Sequence, residues 1–304
     1  MQWNNFNAPI ENIQHPILKE KKISLALLRE DLNHPEISGN KYRKLKYNLI
    51  EANKLGYQNV LTFGGAFSNH IAATAAVAKI YNFKAIGIIR GEEIKDLIDL
   101  NPTLKFAQSK GMTFDFVTRE EYRNKNTAEF IANLKAKYPY HYIIPEGGTN
   151  PLAIKGCEEI LYPACNEYNI VTTAIGTGGT ITGLINSAQR QQIIGFPALK
   201  GDFILKEIRK LCFKNNYSII NDYHFGGYGK VNDELIQFIN QFKIETNIQL
   251  DPLYTGKLMF GIFDLIKKDY FAANTKILAV HTGGLQGIEG INNKRLKQNK
   301  TIIQ

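Results

Sequence analysis

Short apolar runs that end in glycine alternate with amphipathic stretches along almost the whole chain. KKISLALLRED alternates and is rich in aliphatics, which predicts a strand. SGNKYRKLKYNLIEANKLGY sets Leu45, Leu49, Ala52 and Leu55 on one side at helical spacing, so a helix begins near Asn40. NVLTFGGAF predicts a strand, and SNHIAATAAVAKIYN predicts a helix capped by Ser68 and Asn69. KAIGIIRG and TFDFVTR predict strands on either side of the helix NPTLKFAQSKGM, whose Pro102 sits in the first turn. AEFIANLKAKY predicts a helix and HYIIPEGGTN a strand with a second Gly-Gly turn.

From Pro151 the alternation continues with the helix PLAIKGCEEILYPACNEY, the strand NIVTTAIGTGG, the helix TITGLINSAQR and the strand QQIIGF. KGDFILKEIRKLCFKN, DELIQFINQFKIET and KLMFGIFDLIKKDYF predict helices, set among the strands YSIIND, IQLDPLYTG and KILAVHTGG, and a short helix closes the chain. Alternation this regular predicts an α/β protein with mostly parallel sheets covered on both faces. Ligands bind such sheets where glycine turns leave the carboxyl ends of strands. FGGAFSNH, EGGTN, GTGGT and HTGG are four turns of that kind and predict one shared cleft. No internal repeat or Pro/Ser-rich linker marks a boundary.

Composition narrows the function classes. A chain of 304 residues with 44% hydrophobic content can bury one large or two ordinary cores. Its 3 cysteines, Cys157, Cys165 and Cys212, have no CxxC or metal-ligand spacing, which fits a reducing, cytoplasmic setting. The opening MQWNNFNAPIENIQHP has no leader pattern and no apolar run approaches a membrane span, so neither secretion nor insertion is expected. The net charge of +9 is spread over many segments and interleaved with acids. That argues against nucleic acid and suits an anionic cofactor or substrate.

The candidate chemistry sits in the turns. Lys41 falls at a helix start, where free N–H groups make a cation electrostatically out of place unless something anionic or covalent holds it. The bland alternative is a solvated basic helix start with Arg43, Lys44 and Lys46. Gly176-Thr-Gly-Gly-Thr180 follows an apolar strand and opens a helix, so its backbone amides and the hydroxyls of Thr177 and Thr180 can cradle a phosphate. It has neither the Walker nor the GxGxxG spacing, and a close packing turn is the competing reading. Ser68 and Asn69 can cap a helix or face a ligand; His70 lacks partners for a metal. Tyr228 and Tyr254, in turns with small neighbours, are the tyrosines best placed for a cleft, whereas Tyr223 and Phe225 read as packing. No GxSxG, HExxH or Cys-His pattern supports a hydrolase or metalloenzyme.

SGNKYRKLKYNL, FGGAFSNHIAATAAVAK, IPEGGTNPLAIKG, IGTGGTITGL, LDPLYTGK and HTGG, in this order over roughly residues 20 to 290, resemble the 1-aminocyclopropane-1-carboxylate deaminase/D-cysteine desulfhydrase family of pyridoxal-phosphate enzymes. The resemblance implies a tryptophan-synthase-β-like fold (fold type II) of two three-layer α/β/α domains. Residues 1–45 and 156–304 would form the larger, cofactor-binding domain and 46–155 a smaller inserted one, with the cleft between them and a homodimer as the assembly. Lys41 would carry pyridoxal 5'-phosphate covalently. Lys44 and the loop of Thr177, Gly178, Gly179 and Thr180 would bind its phosphate, and Asn69 its ring hydroxyl. Ser68, Asn69, His70, Tyr228 and Tyr254 would surround a small amino-acid substrate, with Lys41, Ser68 and the two tyrosines catalytic.

In deaminases of this family a glutamate follows the active-site tyrosine and contacts the ring nitrogen; here Thr255 stands in that place. A neutral hydroxyl holds the ring nitrogen protonated less well than a carboxylate does. That tilts the expectation toward β-elimination from D-cysteine, giving pyruvate, ammonia and sulfide. The other readings are 1-aminocyclopropane-1-carboxylate deamination, a catalytically idle cofactor binder, or a nucleotide-binding protein that uses GTGGT for another phosphate. The chain is also shorter than the family between Gly183 and Asp222.

Overall fold

A computed structural model describes residues 3, 6–37, 39–201 and 203–304. Its ten strands are β1 (Ile10–Asn12), β2 (Ser24–Leu28), β3 (Asn59–Gly64), β4 (Lys84–Arg90), β5 (Thr113–Val117), β6 (His141–Ile144), β7 (Ile170–Ile175), β8 (Gln192–Pro197), β9 (Tyr217–Ile219) and β10 (Lys276–Val280). They form a six-stranded sheet in the order β1-β2-β10-β7-β8-β9 and a four-stranded sheet in the order β5-β4-β3-β6. All pairs are parallel except β1 with β2. The chain thus has the α/β architecture with mostly parallel sheets that its patterning predicts. The second sheet comes entirely from chain lying between β2 and β7.

The central strands are buried along nearly their whole length, as expected for parallel sheets covered by helices on both faces. Four glycine turns leave the carboxyl ends of β3, β6, β7 and β10, two from each sheet. The helix Asn40–Lys54 inserts Leu45, Leu49 and Ala52 into the core around β3. Burying each of these leucines contributes about 1.5–3 kcal/mol. The helix needs glycine before it: Gly39 has φ +73°, and a Cβ there would lie 2.0 Å from the Thr282 carbonyl oxygen. Ser38, at the head of the motif, lies outside the described residues.

One predicted strand does not form. IQLDPLYTG is irregular and leads into the helix Thr255–Lys267. Pro252 lacks the N–H that a ladder needs. The Asp251 carboxylate instead accepts from the amides of Leu253, Tyr254 and Thr255, each at 2.8 Å, so the segment is spent on starting the helix. Likewise PLAIKGCEEILYPACNEY is not one helix: Pro151–Glu158 is α-helical and Pro163–Glu167 a separate 3-10 turn.

Candidate active site

The glycine turns and the start of the helix Asn40–Lys54 surround a cavity of about 480 Å³. Lys41, Lys44, Ser68, Asn69, His70, Thr177, Gly178, Thr180, Tyr228 and Tyr254 all line it, so residues scattered over the sequence are brought to one place. Gly179 stands just behind: a Cβ on it would come within 3.2 Å of the Lys44 Nζ. Thr255 does not line the cavity. Its hydroxyl donates to the Asp251 carboxylate at 2.7 Å and accepts from the Asp251 amide at 2.9 Å.

The basic start of the helix is not a solvated face. Arg43 is buried and forms a bidentate pair with buried Glu30, at 2.7 and 3.0 Å. Lys46 pairs with Glu159 at 2.7 Å. Lys44 is equally buried, yet among the described residues its ammonium has only neutral partners: the Gly147 carbonyl and the Thr149 hydroxyl at 3.2 Å and the Thr177 hydroxyl at 3.3 Å. Burial lowers its pKa. A buried cation left without an anion in a helix where its neighbours are paired marks an anion site. The helix Gly179–Ser187 ends its free amides there, and Gly178, at φ +86°, makes the turn a side chain would strain.

Lys41 is tied to this cradle. Its Nζ donates to Asn40 Oδ1 at 3.0 Å, and Asn40 Nδ2 donates to the Thr180 hydroxyl at 2.8 Å. Burial, and then the charge of Lys44, bring the Lys41 pKa down to about 7. A sizeable share of the amine is therefore unprotonated at neutral pH, the form a nucleophile needs.

Two buried acceptors at the cavity face no donor among the described residues: neither Asn69 Oδ1 nor His70 Nδ1 has a hydrogen-bond partner there. Thr62 donates its hydroxyl proton to the Ile144 carbonyl at 2.9 Å, so it must accept from His70 Nε2–H at 2.7 Å. That fixes the tautomer and leaves Nδ1 as a lone pair, and burial with the nearby lysines holds the ring neutral. Ser68 caps the helix Asn69–Ile80, accepting from the Ile71 amide at 3.4 Å, and still lines the cavity. Tyr228 and Tyr254 stand with ring centroids 6.3 Å apart. Burial first raises both phenol pKa values, so both stay protonated at neutral pH.

Sequence reasoning passed over Thr149, Glu146, Arg90 and Asp251. Thr149 was within reach, since EGGTN stands out as a glycine turn. Arg90 and Glu146 carried no signal, because they lie in ordinary polar positions after strands. Among the described residues no group of three potential metal ligands occurs and no helix is long and apolar enough to cross a membrane.

The residues present fit pyridoxal phosphate: an unpaired buried ammonium and a glycine cradle for a phosphate, an amine of lowered pKa, and an orphaned acceptor for a ring hydroxyl. Comparison with known proteins agrees. A Pyrococcus horikoshii protein provisionally named 1-aminocyclopropane-1-carboxylate deaminase is 32% identical, covering 93% of this chain and 90% of its own. The mitochondrial bifunctional D-cysteine desulfhydrase/1-aminocyclopropane-1-carboxylate deaminase of Arabidopsis thaliana is 30% identical, covering 87% of this chain and 73% of its own. The crystal structure of an ACC deaminase homologue superposes with a TM-score of 0.81 at 29% identity over 96% of this chain and 94% of that one. A hydrogen sulfide-producing enzyme from Fusobacterium nucleatum shares the fold, with a TM-score of 0.66 at 16% identity over 93% of this chain and 97% of that one. Residues 7–283 match the family described as pyridoxal-phosphate dependent enzyme, and the chain belongs to that family, within the 1-aminocyclopropane-1-carboxylate deaminase/D-cysteine desulfhydrase group.

Proposed function

We propose that the chain is a lyase of D-cysteine desulfhydrase type, which eliminates the β-substituent of a small amino acid to give pyruvate and ammonia, with sulfide when the substrate is D-cysteine. The observation that carries this is the Lys41 amine, half-buried, its pKa lowered to about 7 and without a carboxylate partner among the described residues. β-Elimination begins with removal of the α-proton, and such an amine is suited to that task. Aminocyclopropane carboxylate has no α-proton, so its ring opening cannot begin with that step.

When bound, the cofactor supplies the electron sink for the pair left on Cα. The protein's part is to hold it and to direct protons. Lys44, Thr149 and the loop from Thr177 to Thr180 would take the phosphate, and Asn69 Oδ1 would accept from the ring hydroxyl. Lys41 would hold the aldehyde carbon and, once released by the substrate amine, take the α-proton. Ser68 and the first amides of the helix Asn69–Ile80 would face the substrate carboxylate. Tyr254 and Tyr228, both protonated, would deliver the proton that the departing sulfur requires.

Thr255 supports the same reading. Its hydroxyl is committed to Asp251, and Glu146, the one carboxylate among the described residues that line the cavity, is already held by Tyr122 at 2.7 Å and Lys125 at 3.2 Å. The test is the visible spectrum of the purified protein, then product analysis with D-cysteine, L-cysteine and aminocyclopropane carboxylate in separate reactions. Pyruvate and sulfide from D-cysteine are expected. Turnover of aminocyclopropane carboxylate with none of D-cysteine would reverse the assignment.

A further inference from the structure

We propose that the physiological substrate carries a second anionic group on its side chain and that Arg90 is the residue that reads it. This rests on the proposed amino-acid lyase function and narrows its substrate class. Besides Lys41 and Lys44, the cavity wall carries Arg90, Arg119 and Lys125. Arg119 is bonded to Glu93 at 2.6 Å and Lys125 to Glu146 at 3.2 Å. Lys44 and Lys41 are accounted for by the cofactor. Among the described residues, Arg90 alone of these cations has neither a carboxylate partner nor an assigned ligand.

Its guanidinium is nevertheless positioned. Gly64 of β3 stands beside Ile89 of β4 in register, so Arg90 emerges next to Gly65, three residues before Ser68. A Cβ on Gly65 would lie 3.3 Å from Arg90 Nη2, so the guanidinium lies against the turn that feeds the substrate-facing helix. On its other side Arg90 stands over the Tyr122 ring at 5.7 Å, and the Tyr122 hydroxyl is anchored on Glu146. Tyr228, proposed above to serve the leaving group, lines the same cavity. The α-carboxylate has a separate place at Ser68 and the helix start. A guanidinium that lines the cavity without a carboxylate partner among the described residues suits bidentate capture of a carboxylate or a phosphate-like group.

The test compares isosteres on the cofactor-loaded protein. Each enantiomer of aspartate and asparagine, and of glutamate and glutamine, is titrated while the visible absorbance is followed, in the wild type, Arg90→Met and Arg90→Lys. At least one acid is expected to bind about tenfold more tightly than its amide, a difference of ~1.4 kcal/mol that added salt reduces. Arg90→Met should abolish the preference and leave the amide within about twofold of wild type, and Arg90→Lys should restore part of it. Equal binding of acids and amides by the wild type overturns the inference whatever the variants do. Equal weakening of both by Arg90→Met also overturns it, because Arg90 would then hold the α-carboxylate. Absorbance that responds to no amino acid would instead remove the lyase reading on which the inference stands.

Discussion

Two regions of the cavity wall are built on opposite terms. Around Lys44 a buried ammonium, three threonine hydroxyls and the amides of a helix start are fixed by backbone turns, with no carboxylate among them. Arg90, Arg119, Lys125 and Glu146 reach in as long side chains, two of them paired with each other and Arg119 with Glu93. The first region has the makings of a socket for one dianion. The second is a surface on which side chains can exchange partners. Preorganised buried charge gives affinity for an invariant group, whereas exposed charge tunes preference among variable ones.

Removing the covalent anchor should have the largest consequence. Lys41→Ala is expected to abolish the absorbance of the bound cofactor and lower turnover by about a thousandfold or more, since it removes both the attachment and the base. Full turnover in this variant would dismantle the site as described. Next comes the socket itself. Lys44→Met should weaken cofactor binding by about 30- to 100-fold, in line with loss of a charge-assisted contact worth ~2–3 kcal/mol. Equilibrium dialysis against pyridoxal phosphate measures this. A change below threefold would mean that the buried ammonium does not face the phosphate.

The tyrosines sharpen the comparison because they straddle it. Tyr254 is mostly buried at the base of the cavity, whereas Tyr228 is 42% exposed on a loop held by Lys257, whose ammonium donates to the His224 and Gly227 carbonyls at 2.9 Å. Tyr254→Phe should lower kcat by about a hundredfold with the cofactor spectrum intact, as expected on loss of a general acid. Tyr228→Phe should cost about tenfold or less. If steady-state assays gave the reverse order, the exposed loop rather than the buried base would carry the proton.

The same contrast explains what the sequence made legible. Glycine turns after apolar strands are local patterns, so GNK, GTGGT and SNH mark the cofactor end in the linear chain alone. Lys44 needed the fold: only the structure shows that Arg43 and Lys46 have carboxylate partners while this lysine, in a run of similar ones, has none among the described residues. Arg90 needed strand register, because what distinguishes it is the neighbour at Gly65 rather than anything in KAIGIIRG. IQLDPLYTG misled for a physical reason. Its alternating apolar residues read as a strand, but Asp251 satisfies helix amides that a ladder would have used.

The smallest effect expected is one of stability without cofactor. Burial lowers the Lys41 pKa to about 7, against 10.5 for the same side chain in an unfolded chain. Between those values the unfolded state binds more protons than the folded one, so stability must rise as pH increases from about 7 to about 10 and stay flat just below 7 as far as this group decides it. Lys257, lowered to about 8, adds in the same direction from its own pKa upward. In the cofactor-free protein Lys41→Met should therefore raise the melting temperature at pH 7 by a few degrees, at roughly 2–4 °C per kcal/mol, and flatten its rise toward pH 10. Thermal melts across that range decide the matter: a variant no more stable than wild type at pH 7, with an unchanged slope, would show that the lysine amine is not strained in the empty site. A gain at pH 7 would show the opposite, that the cofactor end is held unfavourably charged until its anion and aldehyde arrive.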